Sequence, residues 1–337
     1  MKSMFVSAKQ LVTIISLICT VLLFPEAGQG QTKKVEKLNI PPNSLNFIAL
    51  GDWGRYGDDH QLQVAAQMAK TAKEASVLFF ISTGDNFYPK GVASTLDPHW
   101  HYSFEEIYKP FSLQREWYSV LGNHDYMGDP DAQVAYSKVS RRWEMPGRYF
   151  SKTFALPGGS GEKIQISFID TNPLIPEFYS NAEYGPNVKT QDSTAQKQWL
   201  QQVLTEKAEG VKWNLVVGHH PLYTASDKRS EGYDTKAVRR SLKSLLDPNH
   251  VDAYLAGHDH SLQHLEPEGG VHHFISGSAS EATQVGKLDY SKFSAMEYGF
   301  LLFSVSSKEM VVHAISHTGK VLYRTSLQKE PQDLGQK

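Results

Sequence analysis

Five short apolar runs in this chain each end at a glycine followed by a residue able to hold a cation. Phe47-Ile48-Ala49-Leu50 leads into Gly51-Asp52-Trp53-Gly54, and Val77-Leu78-Phe79-Phe80-Ile81 leads into Gly84-Asp85-Asn86-Phe87-Tyr88. Trp117 to Leu121 ends at Gly122-Asn123-His124-Asp125, Trp213 to Val217 at Gly218-His219-His220-Pro221, and Ala253 to Ala256 at Gly257-His258-Asp259-His260. Collected, Asp52, Asp85, Tyr88, Asn123, His219, His258 and His260 offer two carboxylates, a phenol, an amide and three imidazoles. These are nitrogen and oxygen donors for hard or borderline cations. Seven exceed one ordinary transition-metal site and suit two metal ions sharing a bridging carboxylate. Taken alone, a Gly-Asp after a strand is a turn, Asn123 a turn residue and Tyr88 a half-buried aromatic. Five such ends in one chain are not independent coincidences.

The elements needed to position these residues are legible. Each run is short and β-branched or aromatic, the signature of a buried strand. Helical patterns lie between them. Asp58 or Asp59 is read as the cap of a helix burying Leu62, Ala65, Ala66 and Ala69. Ser193-Thr194-Ala195-Gln196 reads as a capping box before Trp199, Leu200, Val203 and Leu204. A helix from Thr235 turns Val238, Leu242, Leu245 and Leu246 inward. Alternating strands and helices give an α/β class. In such folds polar residues at the carboxyl ends of neighbouring strands gather at one sheet edge. Strand signals over the stretch from Val271 to Thr325, including Phe300 to Phe303 and Met310 to Val312, predict a second sheet packed on the first. Asn172 to Thr190, with Pro173, Pro176, Gly185 and Pro186, is read as a surface excursion, and Ser278 to Tyr298 as an uncertain loop. His99, His101, His272 and His273 are assigned to surface or satisfied core positions.

Composition narrows the function. Of 337 residues, 40% are hydrophobic and 21% charged, a globular balance. A net charge of −2 lacks the basic excess of a general nucleic-acid binder. Lys2 and Lys9, the apolar run from Leu11 to Phe24 and the small residues Ala27-Gly28-Gln29-Gly30 describe a secretory signal. That run falls short of the ~20 apolar residues of a membrane span. Removing residues 1–30 also removes Cys19, the one cysteine, so the exported chain has no disulfide and relies on its core. The expected organisation is a signal over 1–30, an extension over 31–45, one domain over 46–328 and a polar tail over 329–337, with a secreted or periplasmic location.

The ordered motifs resemble the calcineurin-like metallophosphoesterases, and more narrowly the purple acid phosphatases of the small tartrate-resistant type. Asp52-Trp53-Gly54, Gly84-Asp85-Asn86-Phe87-Tyr88, Gly122-Asn123-His124-Asp125, Val216-Val217-Gly218-His219 and Gly257-His258-Asp259-His260 match that family's pattern in order. The likeness extends to Ala135-Tyr136-Ser137-Lys138, Arg142-Trp143 and Ser306 to Met310, and runs roughly from Phe47 to Leu327. It implies two packed mixed β-sheets flanked by helices, an α/β/β/α sandwich in four layers. It also implies two metal ions: one on Asp52, Tyr88 and His260, another on Asn123, His219 and His258, with Asp85 bridging. Most of the wider superfamily opens with Asp-x-His. Here Gly54 takes the histidine's position and Tyr88 offers a phenolate, a hard anionic donor that favours Fe(III); the second site suits Fe(II), Zn(II) or Mn(II).

The implied activity is acid hydrolysis of phosphomonoesters, by direct attack of metal-bound hydroxide on phosphorus. His124 is placed against the phosphate or leaving group, and Asp125 orients its ring. Substrates are expected to be small phosphomonoesters, with phosphoproteins a second class, for a monomeric enzyme without a membrane anchor after signal cleavage. Relatives of the tartrate-resistant type carry another active-site histidine after Val-x-x-His. Pro221 to Ser230 holds none, leaving His124, solvent or Lys228 to protonate the leaving group. His220, beside a ligand, is expected to pack. Two other readings stand beside this one: a phosphodiesterase or nuclease on the same scaffold, and a redox protein built on the iron pair.

Overall fold

A computed structural model describes residues 38–159 and 161–329. The segment read as a signal, residues 31–37 of the extension and residues 330–337 of the tail lie outside the described residues.

The first sheet has seven strands in the spatial order β14 (Val321–Gln328), β13 (Glu309–Ser316), β12 (Gly299–Val305), β1 (Leu45–Leu50), β2 (Phe79–Ser82), β3 (Trp117–Ser119) and β4 (Trp143–Glu144). The second, also of seven, runs β11 (Ser291–Ala295), β9 (Leu262–Leu265), β10 (His272–Ser276), β8 (Ala253–Ala256), β7 (Val211–Val217), β6 (Lys163–Phe168) and β5 (Phe150–Ala155). Both are mixed. β1 to β4 pair in parallel, as do β6, β7, β8 and β10, while the remaining pairings are antiparallel. All five predicted strands form. Of the stretch from Val271 to Thr325, β10 and β11 lie in the second sheet as expected, whereas Phe300 to Phe303 and Met310 to Val312, as β12 and β13, extend the first, beside β1. Their pairing partners are distant in sequence, which periodicity alone does not record.

Strand alternation divides the core. Phe47 and Ala49 of β1 point with Phe79, Ile81, Phe168, Leu215, Leu255 and Phe303 into the space between the sheets. Ile48 and Leu50 point outward to the helices. There Val64, Ala65 and Met68 of α1 (Gln61–Glu74) are buried. Three further helices are α2 (Pro130–Tyr136), α3 (Gly185–Val188) and α4 (Ser193–Thr205), the last burying Leu200 and Leu204. From α5 (Tyr233–Leu246), Val238, Leu242 and Leu246 are buried, as predicted. No helix among the described residues is long and apolar enough to cross a membrane.

Three local expectations are corrected. α1 buries Gln61, Val64, Ala65 and Met68, leaving Leu62 half exposed. Gln61 turns inward because its amide satisfies the backbone of Arg55, Gly57 and Ser103. The cap of α4 is Asp192, one residue before Ser193; its carboxylate accepts from the amides of Thr194 and Ala195. Gln196 is then free to clamp both backbone groups of Asp170 at 2.8 Å. The stretch 172–190 is not wholly superficial, since Asn172, Leu174, Ile175, Phe178 and Val188 are buried.

Candidate metal centre

β1, β2 and β3 of one sheet and β7 and β8 of the other deliver their carboxyl ends to one place. Asp52 follows β1 with φ +62°, Asp85 follows β2 with φ +48° and His258 follows β8 with φ +68°. Three side-chained residues in the left-handed region is a cost tolerated where geometry is otherwise over-determined. Here Trp53 anchors the first loop. Its indole donates to Ser82 Oγ at 2.8 Å, and its ring meets Phe87, Tyr108 and Trp117.

Gly54 explains the exchange of motifs. The Tyr88 amide donates to its carbonyl at 2.8 Å, and a Cβ on Gly54 would lie 2.0 Å from the Asn86 carbonyl oxygen. The loop bearing Tyr88 therefore crosses directly over residue 54. A histidine there would collide with the loop that supplies the phenol.

Two groups of donors converge on Asp85. The Tyr88 hydroxyl is 3.0 Å from Asp52 Oδ1, 3.1 Å from Asp85 Oδ2 and 3.2 Å from His260 Nε2. On the other side His219 Nε2 is 3.3 Å from Asp85 Oδ2 and 3.2 Å from His258 Nδ1. Ligand atoms of Asp52, Asp85 and His219 lie within 4.8 Å of one another, as do those of His219, His220 and His258. Asn123 is buried, and its Oδ1 has no hydrogen-bond partner. An orphaned carbonyl oxygen beside paired acids and imidazoles fits a site built for cations.

Electrostatics point the same way. Burial opposes charge on His219, yet the Asp85 carboxylate lifts it to about 9. Burial likewise opposes charge on His260, and Asp52 and Glu281 lift it to about 10. Burial, reinforced by Asp52 and Asp85, pushes the Tyr88 phenol well up. The carboxylates thus favour positive charge beside them. A bound cation would displace imidazolium protons.

Outer partners fix the rings. His219 Nδ1 faces the Thr83 carbonyl at 2.9 Å, which directs Nε2 inward. His258 Nε2 is 2.8 Å from Asp234 Oδ2, leaving Nδ1 inward. Glu281 stands 3.4 Å from His260 Nδ1 and 2.8 Å from Arg55, whose guanidinium lies 3.8 Å above the Tyr88 ring. Sequence reasoning missed Asp234, Glu281 and Arg55. No local spacing links them to the histidines or to Tyr88.

The expectation that Asp125 orients His124 is corrected. Asp125 is fully buried and its carboxylate accepts from the amides of Gly122, Asn86 and Phe87 and from Gln133 Nε2, at 2.8–3.3 Å. It ties the β2 and β3 loops together. His124 Nδ1 instead faces the Pro89 carbonyl at 2.6 Å, and its partly exposed ring is 4.4 Å from that of Tyr88. His220 is buried, with Nδ1 2.8 Å from Thr171 Oγ1, its ring 4.4 Å from that of His258 and its Nε2 without a hydrogen-bond partner. Lys228 is exposed, and its neighbour Arg229 is partly exposed with Nε 3.3 Å from Asp259 Oδ1.

Known proteins are similar to this chain. Residues 45–262 match the family model described as calcineurin-like phosphoesterase. Purple acid phosphatase 17 of Arabidopsis thaliana is 33% identical over 331 residues, covering 93% of each chain. Tartrate-resistant acid phosphatase type 5 of Homo sapiens is 32% identical over 332 residues, covering 92% of this chain and 96% of its own. Among solved structures, GAP50, the anchor in the inner membrane complex of Plasmodium, superposes with a TM-score of 0.71 at 25% identity, covering 86% of this chain and 90% of its own. This chain belongs to the calcineurin-like phosphoesterases, in the group of the purple and tartrate-resistant acid phosphatases.

Proposed function

We propose that the protein is an acid phosphatase that hydrolyses phosphomonoesters at two metal ions. The reading rests on one observation above all: Asp85 stands between two donor sets, 3.1 Å from the Tyr88 hydroxyl and 3.3 Å from His219 Nε2. Asp52, Asp85, Tyr88 and His260 would hold one ion, a hard anionic set suited to Fe(III). Asp85, Asn123, His219 and His258 would hold the other, suited to Fe(II), Zn(II) or Mn(II). Such ions, when bound, neutralise phosphate oxygens and acidify water enough to provide a nucleophile below neutral pH.

The chain's own groups do the rest. A carbonyl only accepts, so His124 carries its proton on Nδ1 toward Pro89 and presents Nε2 at the mouth of the site. There it meets the phosphate or the leaving oxygen. Asp125 serves by clamping the loops that bear Asp85 and Asn123. Asp234 fixes the His258 tautomer, and Asp234→Ala is expected to weaken the second metal's binding roughly 10- to 100-fold with the fold retained. Competition with a chelator of known affinity measures this.

Residues 1–30 are read as an export signal on the charge and apolar pattern described above. Mass analysis of protein recovered outside the cytoplasm tests that reading. The substrates are taken to be small phosphomonoesters or phosphoproteins. Matched aryl phosphate mono- and diesters test the ester class: a monoester preference at acid pH is expected, and a diester preference would move the function to the phosphodiesterases.

A further inference from the structure

The first donor set is covered by a cation that no ligand role explains. The Tyr88 amide donates to the Gly54 carbonyl, and residues 54 and 87 form a parallel bridge, so the two loops run side by side. Residue 55 is thereby brought against the phenol, and the Arg55 guanidinium lies 3.8 Å from the centre of the Tyr88 ring. The arginine is held at both ends. Its amide donates to Gln61 Oε1 at 3.0 Å, and its carbonyl accepts from the Asp58 amide at 2.9 Å. At the head, Nε donates to Ser280 Oγ at 3.1 Å and Nη2 to Glu281 Oε2 at 2.8 Å. Both partners reach another residue of the donor set. Ser280 Oγ donates to the Asp52 carbonyl at 2.5 Å, and the same Glu281 oxygen stands 3.4 Å from His260 Nδ1. A packing role needs only the aliphatic stem of an arginine. Here the charged, planar head meets the ring.

Resting on the reading of Asp52, Asp85, Tyr88 and His260 as ligands of a ferric ion, we propose that Arg55 is a positioning residue that sets how much charge Tyr88 gives that ion, with Glu281 as its counterweight. A guanidinium over an aromatic face is attracted by the electrons of the ring and keeps its charge at every working pH. Density held on the ring is withdrawn from the phenol oxygen. Tyr88 is then a weaker donor, which leaves the ion the stronger Lewis acid and the easier to reduce. Glu281 acts in the opposite sense, because its carboxylate offsets the guanidinium and makes His260 the better donor. Neither side chain is itself a ligand.

The test reloads the metal-stripped protein with ferric ion and zinc, and compares the wild type with Arg55→Met, Arg55→Lys and Glu281→Gln. It reads the visible phenolate-to-iron charge-transfer band and the reduction potential. Charge transfer takes an electron off the ring that the guanidinium faces, so the cation raises the energy of that transition. Arg55→Met is expected to move the band to longer wavelength. It should also raise the ferric-over-ferrous preference roughly 2- to 30-fold, the span of a cation–π contact from exposed to desolvated settings, where tenfold lowers the potential by about 59 mV. Lysine, which keeps the charge but loses the plane and the fork, should fall between. Glu281→Gln should raise the potential, whereas mere loosening of the site would move both variants the same way. An unchanged band and potential in Arg55→Met, or potential shifts of one sign in Arg55→Met and Glu281→Gln, would overturn the proposal. Should Arg55→Met not hold iron, unshifted potentials in the other two variants would reject it. A wild type that shows the band but turns over no monoester would end the phosphatase reading and leave the Arg55 comparison intact. A wild type that takes up ferric ion without the band, or takes up none, would remove the ferric phenolate and the proposal with it.

Discussion

Asp85→Ala is expected to lose metal binding and turnover together. Asp85 offers one carboxylate oxygen to donor atoms of both sets: Oδ2 faces the Tyr88 hydroxyl and His219, while Oδ1 accepts the His124 amide at 2.8 Å. Removing it takes an anionic ligand from each ion and releases the loop that carries Asn123 and His124. Loss of a mere outer partner costs roughly 10- to 100-fold, so a shared ligand should cost more than about 100-fold in turnover. The fold should survive, because Asp85 stands at a loop outside the packed strands and its buried charge is supported by neighbouring imidazoles. Burial would raise its carboxyl, but His219 and then His124 and His258 hold it well below the usual range. Elemental analysis of the dialysed variant, beside circular dichroism and aryl phosphate turnover, checks both halves. Full metal content with wild-type turnover would remove the bridging role.

Gly122→Ala is expected to damage the site nearly as much without touching a donor atom. A Cβ at residue 122 would lie 2.1 Å from Asp85 Oδ1 and 2.4 Å from the Asp85 backbone nitrogen. The second contact is with backbone, so no rotamer change relieves it. The loops after β2 and β3 must separate, and Asp125, which fastens them through the amides of Gly122 and Asn86, resists that separation. A destabilisation of about 1–3 kcal/mol is expected from such overpacking, with metal content and turnover falling in parallel. Gly147→Ala is the control, since its Cβ would meet only the Tyr149 carbonyl at an ordinary 3.5 Å. Thermal melts of both variants with metal-content measurements decide the matter. A Gly122→Ala protein with normal turnover would show that the approach of the two loops is not needed.

What was legible in the chain was whatever local order encodes. A strand's apolar run and the polar residue just past its end are neighbours in sequence, so the five strands and the seven donors could be read directly, and the fold brings six of those donors into measured contact with one another. Asn123 joins them as a buried, unpartnered amide on the β3 loop. Contacts between loops were not legible. The Asp234 to His258 hydrogen bond spans 24 positions, and Asn86 to Asp125 spans 39. The same blindness produced the error over Asp125. Its adjacency to His124 made it a natural orienting group, yet the turn sends the two side chains apart, one into the loop junction and one to the rim. For α1, Leu62 was placed inward on hydropathy, whereas a polar residue, Gln61, takes the inner face because three unpaired backbone groups are waiting there.

The most direct test of the binuclear reading is a metal titration of the stripped protein, followed by turnover of an aryl phosphate monoester at acid pH. The account predicts no turnover without metal and full recovery only at two equivalents per chain. Turnover by the stripped protein, or recovery complete at one equivalent, would contradict it.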